Sequence, residues 1–296
     1  MQRDVYAEVT ARILNELKSG AAPWVKPWAT TPGANRPVNA ATGRHYNGGN
    51  VVLLWMATAA KGWTSARFVT FNQAKALGGH VNAGEKGTQI VLVKTVTKQD
   101  KQNPEDIKKF GLLRYFTVFN VEQCSGLPEK VVAPEAPVVR QPHEQIVEVE
   151  QFLTATKAKI EVVGERACYI PSIDTIRMPS LSTFKTADHY YATTFHELGH
   201  WTGAKSRLDR TDGMRNRFGD QAYAAEELAA ELTSAFICAE FDINGDLRHA
   251  GYIQNWIELL TADPKAFFTA ASKAQAAADH LRGLALAGDD EQELAA

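Results

Sequence analysis

The sequence is short of the features that mark several classes of protein. Its 296 residues include three cysteines, and their spacing forms no C-x-x-C pair, so neither a disulfide framework nor a cysteine-rich metal site is expected. No apolar run approaches about 18 residues, and charged residues are scattered through the N-terminal segment. Both observations argue against a membrane span or a signal peptide. We therefore expect a soluble, cytoplasmic protein with no membrane partner.

The net charge of −2 conceals two halves of opposite sign. Residues 1–130 carry 17 Lys and Arg against 9 Asp and Glu, a balance of +8, whereas residues 131–296 carry 15 against 25, a balance of −10. The basic half is expected to have an anionic partner, and the acidic half is not.

A proline-rich stretch separates the two halves. Four prolines lie close together, a composition typical of an extended linker: Pro128, Pro134, Pro137 and Pro142. Helix and strand patterns occur on both sides, so the sequence predicts an α+β protein of two domains. The predicted parts are a first domain at 1–127, the linker at 128–144, a second domain at 145–286 and an acidic, disordered tail at 287–296.

Hydrophobic periodicity assigns the main elements. Helices are predicted over 5–17, 51–60, 145–159, 188–202, 226–240, 253–260 and 264–286. Strands are predicted over 88–96, 112–119, 159–163, 167–170 and 173–178. We expect the strand at 174–178 to border a cleft and to pair with an extended peptide. The basic loop at 205–217 could shape the cleft or contact the DNA backbone, and solvation is the interpretation that we favour.

The basic half also contains aromatic residues in loops. Single-strand-binding proteins combine a basic groove with aromatic side chains on which bases stack. This pattern predicts that single-stranded DNA is bound through Trp24, Lys26, Trp28, Arg44 and Tyr46. Ordinary core packing is the alternative for the aromatic residues. Because no pattern for reading base edges is evident, we expect little sequence preference and a steep salt dependence.

The strongest motif is His196-Glu197-Leu198-Gly199-His200, which reads H-E-x-x-H. The composition of the chain gives roughly 0.02 chance matches to such a pattern, so coincidence is a poor explanation. Residues four apart on a helix lie one above the other, so both imidazoles can bind one metal ion. Glu197 lies beside them, where it could accept a proton from a metal-bound water. Gly199 inside the helix indicates that another backbone or the metal approaches closely there.

A catalytic zinc ion requires a third protein ligand and an open position for water. A second helical stretch follows the motif, and its acids Glu226, Glu227 and Glu231 are all candidates. Glu227 and Glu231 share a helix face, so we favour Glu227 as the ligand and Glu231 as an acceptor for a ligand histidine N–H. Two histidines and a carboxylate favour zinc, with manganese as the alternative. Tyr190 or Tyr223 could stabilise an oxyanion, and spacing chooses neither.

These residues resemble two groups of proteins. The H-E-x-x-H motif followed 27 residues later by Glu227 is similar to the Glu-type zincin metallopeptidases. Four segments resemble the ArdC-type antirestriction proteins of conjugative plasmids: YIPSIDTIRMP at 169–179, HELGHWTG at 196–203, SRLDR at 206–210 and YAAEELAAEL at 223–232. The resemblance covers the chain up to about residue 286. It implies an N-terminal single-stranded-DNA-binding domain joined to a zincin-like metallopeptidase domain, which together protect incoming plasmid DNA from host restriction during conjugation.

Three hypotheses for function remain open at this point. In the first, the chain is an antirestriction protein whose metal site hydrolyses a host protein. In the second, the protein shields DNA without catalysis and its metal site is structural. In the third, the chain is a regulatory metalloprotease whose basic half recruits an acidic partner.

Overall fold

The structure is a computed structural model, and its helices and strands confirm the predicted α+β composition. It describes residues 4–20, 22–24, 36–99, 107–133, 141, 143–211, 220–244 and 252–293. Among these residues, no helix combines the length and the apolar character that crossing a bilayer would require.

The N-terminal half packs a four-stranded sheet against one buried helix. Its helices are α1 (Val5–Lys18), α2 (Gly49–Lys61), α3 (Phe71–Ala76) and α4 (Glu129–Val132). Its strands are β1 (Val38–Asn39), β2 (Arg67–Val69), β3 (His80–Val81), β4 (Thr88–Gln99), β5 (Ile107–Asn120) and β6 (Cys124–Ser125). The sheet order is β1-β2-β5-β4, and a separate pair joins β3 to β6. Strands β4 and β5 form an antiparallel ribbon that pairs Thr88 with Val118 and Gln99 with Ile107.

The C-terminal half is a helical layer with a small sheet. Its helices are α5 (Val147–Ala155), α6 (Ala187–Thr202), α7 (Gln221–Cys238), α8 (Ile253–Ala262) and α9 (Ala266–Glu293). Its strands are β7 (Lys159–Val162), β8 (Cys168–Ile170) and β9 (Thr175–Met178). The sheet order is β7-β9-β8, so β9 is the middle strand. The prediction that 174–178 pairs with an extended peptide is therefore wrong, because both sides of β9 are already paired within the sheet, and β8 lies at an edge instead.

One hydrophobic core joins the two halves. Leu17 of α1 is fully buried and lies in the same cluster as side chains of α6, α7 and α9. Trp24 is also fully buried, and its ring centroid lies 5.4 Å from that of Trp256 in α8. The Thr10 hydroxyl donates a hydrogen bond to the Pro264 carbonyl at 2.7 Å. Helix α1 therefore packs with the C-terminal half, although it precedes the basic sheet in the chain.

The ends of the predicted elements need two corrections. Helix α9 continues to Glu293, so the predicted disorder of the tail is wrong for residues 287–293. In the linker, α4 forms a helical turn where extended chain was predicted, and residues 134–140 and 142 lie outside the described part. The three cysteines are free, as expected.

Gly199 explains how closely α6 and α7 approach each other. A Cβ atom at this position would lie 2.9 Å from the Cα of Ala230 and 3.1 Å from its carbonyl oxygen. Both distances are too short for an ordinary contact, so a side chain at Gly199 would force one helix to move. The expected close approach of a second backbone is confirmed.

We expect Gly199→Ala to destabilise the protein by about 1–3 kcal/mol, because the backbone of Ala230 must shift. Gly283→Ala is a matched control, since Gly283 is an exposed glycine of α9 and an added Cβ meets no atom within 4 Å. The control should be neutral or should stabilise the helix by up to about 1 kcal/mol. Urea denaturation measures both, and equal effects of the two substitutions would contradict the tight helix contact.

Candidate metal centre

Helix α6 carries both histidines of the motif. The helix begins after Thr186, whose hydroxyl accepts a hydrogen bond from the His189 N–H, and Asp188 lies in its first turn. His196 and His200 are one helical turn apart, so their rings lie side by side. The ring centroids are 4.8 Å apart, and the two Nε2 atoms are 3.2 Å apart.

Helix α7 brings three carboxylates to these imidazoles. One oxygen of Glu227 lies 3.5 Å from Nε2 of His196, and the other lies 3.5 Å from Nε2 of His200. Glu226 lies 3.4 Å from Nδ1 of His200, and Glu231 lies 3.3 Å from Nδ1 of His196. Of the three carboxylates, only Glu227 lies beside the two Nε2 atoms, which are the ring nitrogens that face each other.

The set of His196, His200 and Glu227 fits a divalent metal ion. One potential ligand atom from each residue lies within 4.8 Å of the other two. Two imidazole nitrogens and a carboxylate oxygen are a usual donor set for catalytic zinc. Each imidazole also has a carboxylate at its other nitrogen, an arrangement that fixes the ring orientation of a metal ligand. This geometry is compatible with the roles predicted for Glu227 and Glu231, and it gives Glu226 the corresponding place beside His200.

Burial and the neighbouring opposite charges shift the pKa values of these groups in opposite directions. Burial alone would lower the pKa of His200, but hydrogen bonds with Glu226 and Glu227 outweigh it and raise the pKa to about 9. Burial also acts to lower the pKa of His196, yet Glu227 and Glu231 raise it well above its ordinary value. For Glu227, burial would raise the pKa, and the two imidazoles instead hold it far below its usual range. Without metal, the site thus pairs protonated imidazoles with ionised carboxylates.

Arg210 is a buried partner of this acid cluster. Its guanidinium donates to both oxygens of Glu226, each at 3.0 Å, and to the Gly199 carbonyl at 2.6 Å. The prediction that the basic loop 205–217 is solvated is therefore wrong for Arg210. A buried carboxylate is costly without a nearby cation. The surplus of acidic residues in α7 indicates that a buried basic partner is needed. It does not identify which arginine is that partner.

Arg207 is also largely shielded from solvent, and its contacts link β8 to α6. Its guanidinium contacts both oxygens of Asp174, at 2.6 and 3.1 Å, and donates to the Tyr169 hydroxyl at 3.1 Å. It donates to the Trp201 carbonyl at 2.6 Å and lies 3.8 Å above the centroid of the Trp201 ring. Burial and the bond to Asp174 raise the pKa of Tyr169 to about 12. The solvation predicted for the basic loop is wrong here too.

Glu197 lies beside the donor set and is held by β8. Its side chain is 8% exposed, and its Oε2 accepts a hydrogen bond from the Tyr169 N–H at 2.7 Å. Glu197 contributes to the lining of two cavities. The larger, of about 880 Å³, also contacts His196, and the smaller, of about 210 Å³, also contacts His200. The carboxylate of Glu197 is therefore accessible to a molecule in the cleft.

The two candidate tyrosines lie in different places. Tyr223 lines the smaller cavity, and its hydroxyl oxygen is 3.4 Å from that of Tyr252. Burial raises the pKa of Tyr223, and hydrogen bonds with Tyr252 and Glu227 raise it further. Tyr190 is buried, with its ring packed edge-on against Phe184. Of the two, Tyr223 has a neutral hydroxyl at the cleft.

The residues predicted to contact DNA do not form one described surface. Trp24 is fully buried, so the prediction that bases stack on it is wrong in this structure. Arg44 is exposed, whereas Tyr46 is half-buried and packs against the sheet. Lys26 and Trp28 lie outside the described residues.

Two family models match the chain, one in each half. Residues 3–119 match the model for the N-terminal domain of anti-restriction factor ArdC. Residues 147–273 match the model for a zincin-like metallopeptidase. The two histidines and the candidate acids lie within the second match, and the basic sheet lies within the first.

Several individual proteins are similar to the chain along most of its length. The uncharacterized protein y4eC of Sinorhizobium fredii is 39% identical, over 93% of this chain and 91% of the relative. The DNA primase TraC of Escherichia coli is 38% identical over 92% of this chain, which spans only 19% of that relative.

Two solved structures show the same similarity in three dimensions. The crystal structure of the antirestriction ArdC protein from plasmid R388 in metal-free form is 40% identical, with a TM-score of 0.83. The Mn(II)-bound form has a TM-score of 0.79, and each alignment covers 96% of this chain and 98% of the other.

The raised histidine pKa values predict how the metal-free protein responds to pH. A folded-state pKa above the unfolded value stabilises the fold fully below about pH 6.5, and this stabilisation is lost as the pH rises through about 9. For His200 alone the loss is on the order of 3 kcal/mol. Urea denaturation of chelator-treated protein between pH 6 and about 9.5 measures it.

The control for this experiment is the double variant His196→Gln, His200→Gln, which has no imidazole at the site. Its free energy of unfolding should lack the decrease between about pH 6.5 and 9. If wild type and the double variant show the same pH dependence, the raised pKa values are contradicted.

Proposed function

Because the chain belongs to the ArdC antirestriction family, we propose that it protects incoming plasmid DNA from host restriction during conjugation. In this proposal the basic N-terminal half binds single-stranded DNA with little sequence preference. The C-terminal half holds one divalent metal ion through His196, His200 and Glu227. The site of action is the cytoplasm of the recipient cell, where the entering strand first meets restriction enzymes.

The observation that carries the proposal is the convergence of three donor groups beside an accessible carboxylate. The Nε2 atoms of His196 and His200 and the carboxylate of Glu227 share one small volume. Glu197 adjoins them in the cleft. The zincin-like family match over residues 147–273 supports the same assignment independently of these distances.

We propose zinc as the metal, with manganese as the alternative. Two imidazoles and one carboxylate form the usual three-ligand set of catalytic zinc, and Mn(II) prefers sites richer in oxygen ligands. The Mn(II)-bound form of the R388 relative supports the binding of a divalent ion. Glu226 and Glu231 would orient the two ligand rings through their Nδ1 atoms.

The residues around the donor set support peptidase chemistry, for which we propose a host protein as the substrate. A bound divalent ion supplies Lewis-acid activation of water and of an amide carbonyl. Glu197 accepts a proton from the attacking water and passes it to the leaving amine. Tyr223 donates its hydroxyl proton in a hydrogen bond to the developing oxyanion. The Tyr169 N–H holds the Glu197 carboxylate in the cleft before substrate binds.

A second candidate function is DNA shielding without catalysis. The observation that favours it is the 2.7 Å hydrogen bond from the Tyr169 N–H to Glu197, which occupies one oxygen of the proposed base. In that case the metal only ties α6 to α7. Metal content would be the same for both functions, so only a variant at Glu197 distinguishes them.

The ligand assignment predicts the metal content of three variants. Glu227→Ala should lose stoichiometric zinc after dialysis, because two imidazoles alone bind the ion weakly. Glu226→Gln and Glu231→Gln should retain zinc with an affinity reduced about 10–100-fold, since they weaken contacts to the ligand rings and leave the three ligands in place. Glu226→Gln also removes the charge that pairs with Arg210, so its folding is checked by thermal melting. Plasma mass spectrometry and competition with a chelator measure both effects. Full retention of zinc by Glu227→Ala would transfer the ligand role to Glu226 or Glu231.

The peptidase assignment predicts the effect of Glu197→Gln on plasmid transfer. This variant should keep its metal and yet lose protection, because the amide cannot accept a proton. The measurement is the transfer frequency of an unmodified plasmid into restricting and non-restricting recipients. Glu148→Gln, at an exposed position of α5, is the control and should protect as wild type does. If Glu197→Gln also protects fully, protection does not require peptidase activity.

A further inference from the structure

The β4–β5 ribbon presents apolar side chains to solvent on the same face that elsewhere covers the core. Strand alternation places Ile90, Phe116 and Val118 on this face, because Ile90 pairs with Phe116 and Val118 is two residues further along β5. Ile90 and Val118 are buried against α2. Phe116 is 41% exposed and Leu92, two residues after Ile90, is 49% exposed. The apolar face of the ribbon therefore continues past the part that α2 covers.

A positively charged side chain, that of Arg114, lies within this exposed patch. Arg114 pairs directly with Leu92, so cross-strand geometry puts the two side chains side by side. Arg114 is exposed, and within the described part of the chain its guanidinium has no hydrogen bond and no ion pair. Leu92, Arg114 and Phe116 therefore form one patch, here called the ribbon patch. It combines a ring face, an apolar neighbour and an available positive charge.

We propose that the ribbon patch is a base-stacking site for single-stranded DNA. The inference rests on the proposed function, and it adds a surface that contains none of the loop residues predicted from sequence. A base stacks on the Phe116 ring, and the Arg114 guanidinium contacts a neighbouring phosphate. Leu92 covers the edge of the stacked base.

The charge of the surrounding half favours this occupant. Residues 1–130 have a balance of +8, so an anionic polymer is attracted to this half as a whole. A duplex hides the faces of its bases, whereas a single strand exposes them to an aromatic ring. An apolar protein segment would use Phe116 and Leu92 but would gain nothing from the charge. The burial of Trp24 also removes one of the aromatic residues that a base could otherwise use.

The test is binding of a fluorescently labelled oligothymidine to the full chain, measured by anisotropy at several salt concentrations. Phe116→Leu should weaken binding by about 5- to 150-fold, the loss expected for one base-aromatic stack. Phe116→Tyr keeps a ring and should bind within a few-fold of wild type. Arg114→Gln should reduce the slope of log affinity against log salt by about 0.7, the value for one phosphate contact on a single strand.

Phe71→Leu is the matched control for the loss of an exposed ring. Phe71 is 57% exposed but belongs to α3 rather than to the ribbon, so its substitution should leave binding unchanged. Thermal melting of each variant establishes that it is folded. Phe116→Leu retains an apolar side chain, so an apolar protein-docking surface would tolerate it, and a stacking site would not.

Three negative results would count against these proposals, and they have separate meanings. If wild type fails to bind the oligonucleotide even at low salt, the DNA-binding part of the proposed function fails and the ribbon patch fails with it. If wild type binds, and Phe116→Leu and Arg114→Gln bind as tightly with an unchanged salt slope, only the ribbon patch is overturned. Equal weakening by Phe116→Leu and Phe71→Leu would also overturn it, since no particular ring would then be required.

Discussion

The close contact between α6 and α7 is the constraint on which the candidate metal centre depends. A single helix can present His196 and His200 to one point, but a carboxylate reaches that point only if a second backbone comes near. Gly199 adjoins His200 and faces Ala230, so no large side chain separates the two helices. A bulkier pair would increase the distance between the helices and carry Glu227 away from both Nε2 atoms.

The same contact buries several ionisable side chains, and their charges must be compensated for the protein to fold. Five ionisable side chains meet there: His196, His200, Glu226, Glu227 and Glu231. A buried carboxylate without a partner costs several kcal/mol. Arg210 neutralises Glu226, and the imidazoles neutralise the rest by remaining protonated above their usual range. A divalent ion can replace these protons, so the site is electrostatically balanced in both states.

The features of the site that arise from local geometry could be predicted from the sequence. The four-residue helical repeat places the two histidines together, and the same repeat puts Glu231 on the face of Glu227. Arg210 could not be predicted, because its position depends on the path of a loop. The middle place of β9 could not be predicted either, since periodicity identifies a strand without giving its order in the sheet. Trp24 lies in a proline-containing segment that looks exposed locally, but α8 arrives from far along the chain to cover it.

The packing of Trp24 also bears on how the two halves influence each other. Trp24 packs on Trp256, and Tyr252 stacks on the same indole with centroids 6.0 Å apart. Tyr252 lines both cavities beside Glu197. Three aromatic rings thus run from the beginning of the chain to the wall of the cleft. A ligand that altered the packing at one end of this series would change the binding free energy of a ligand at the other, and reciprocity would make the reverse effect equally large.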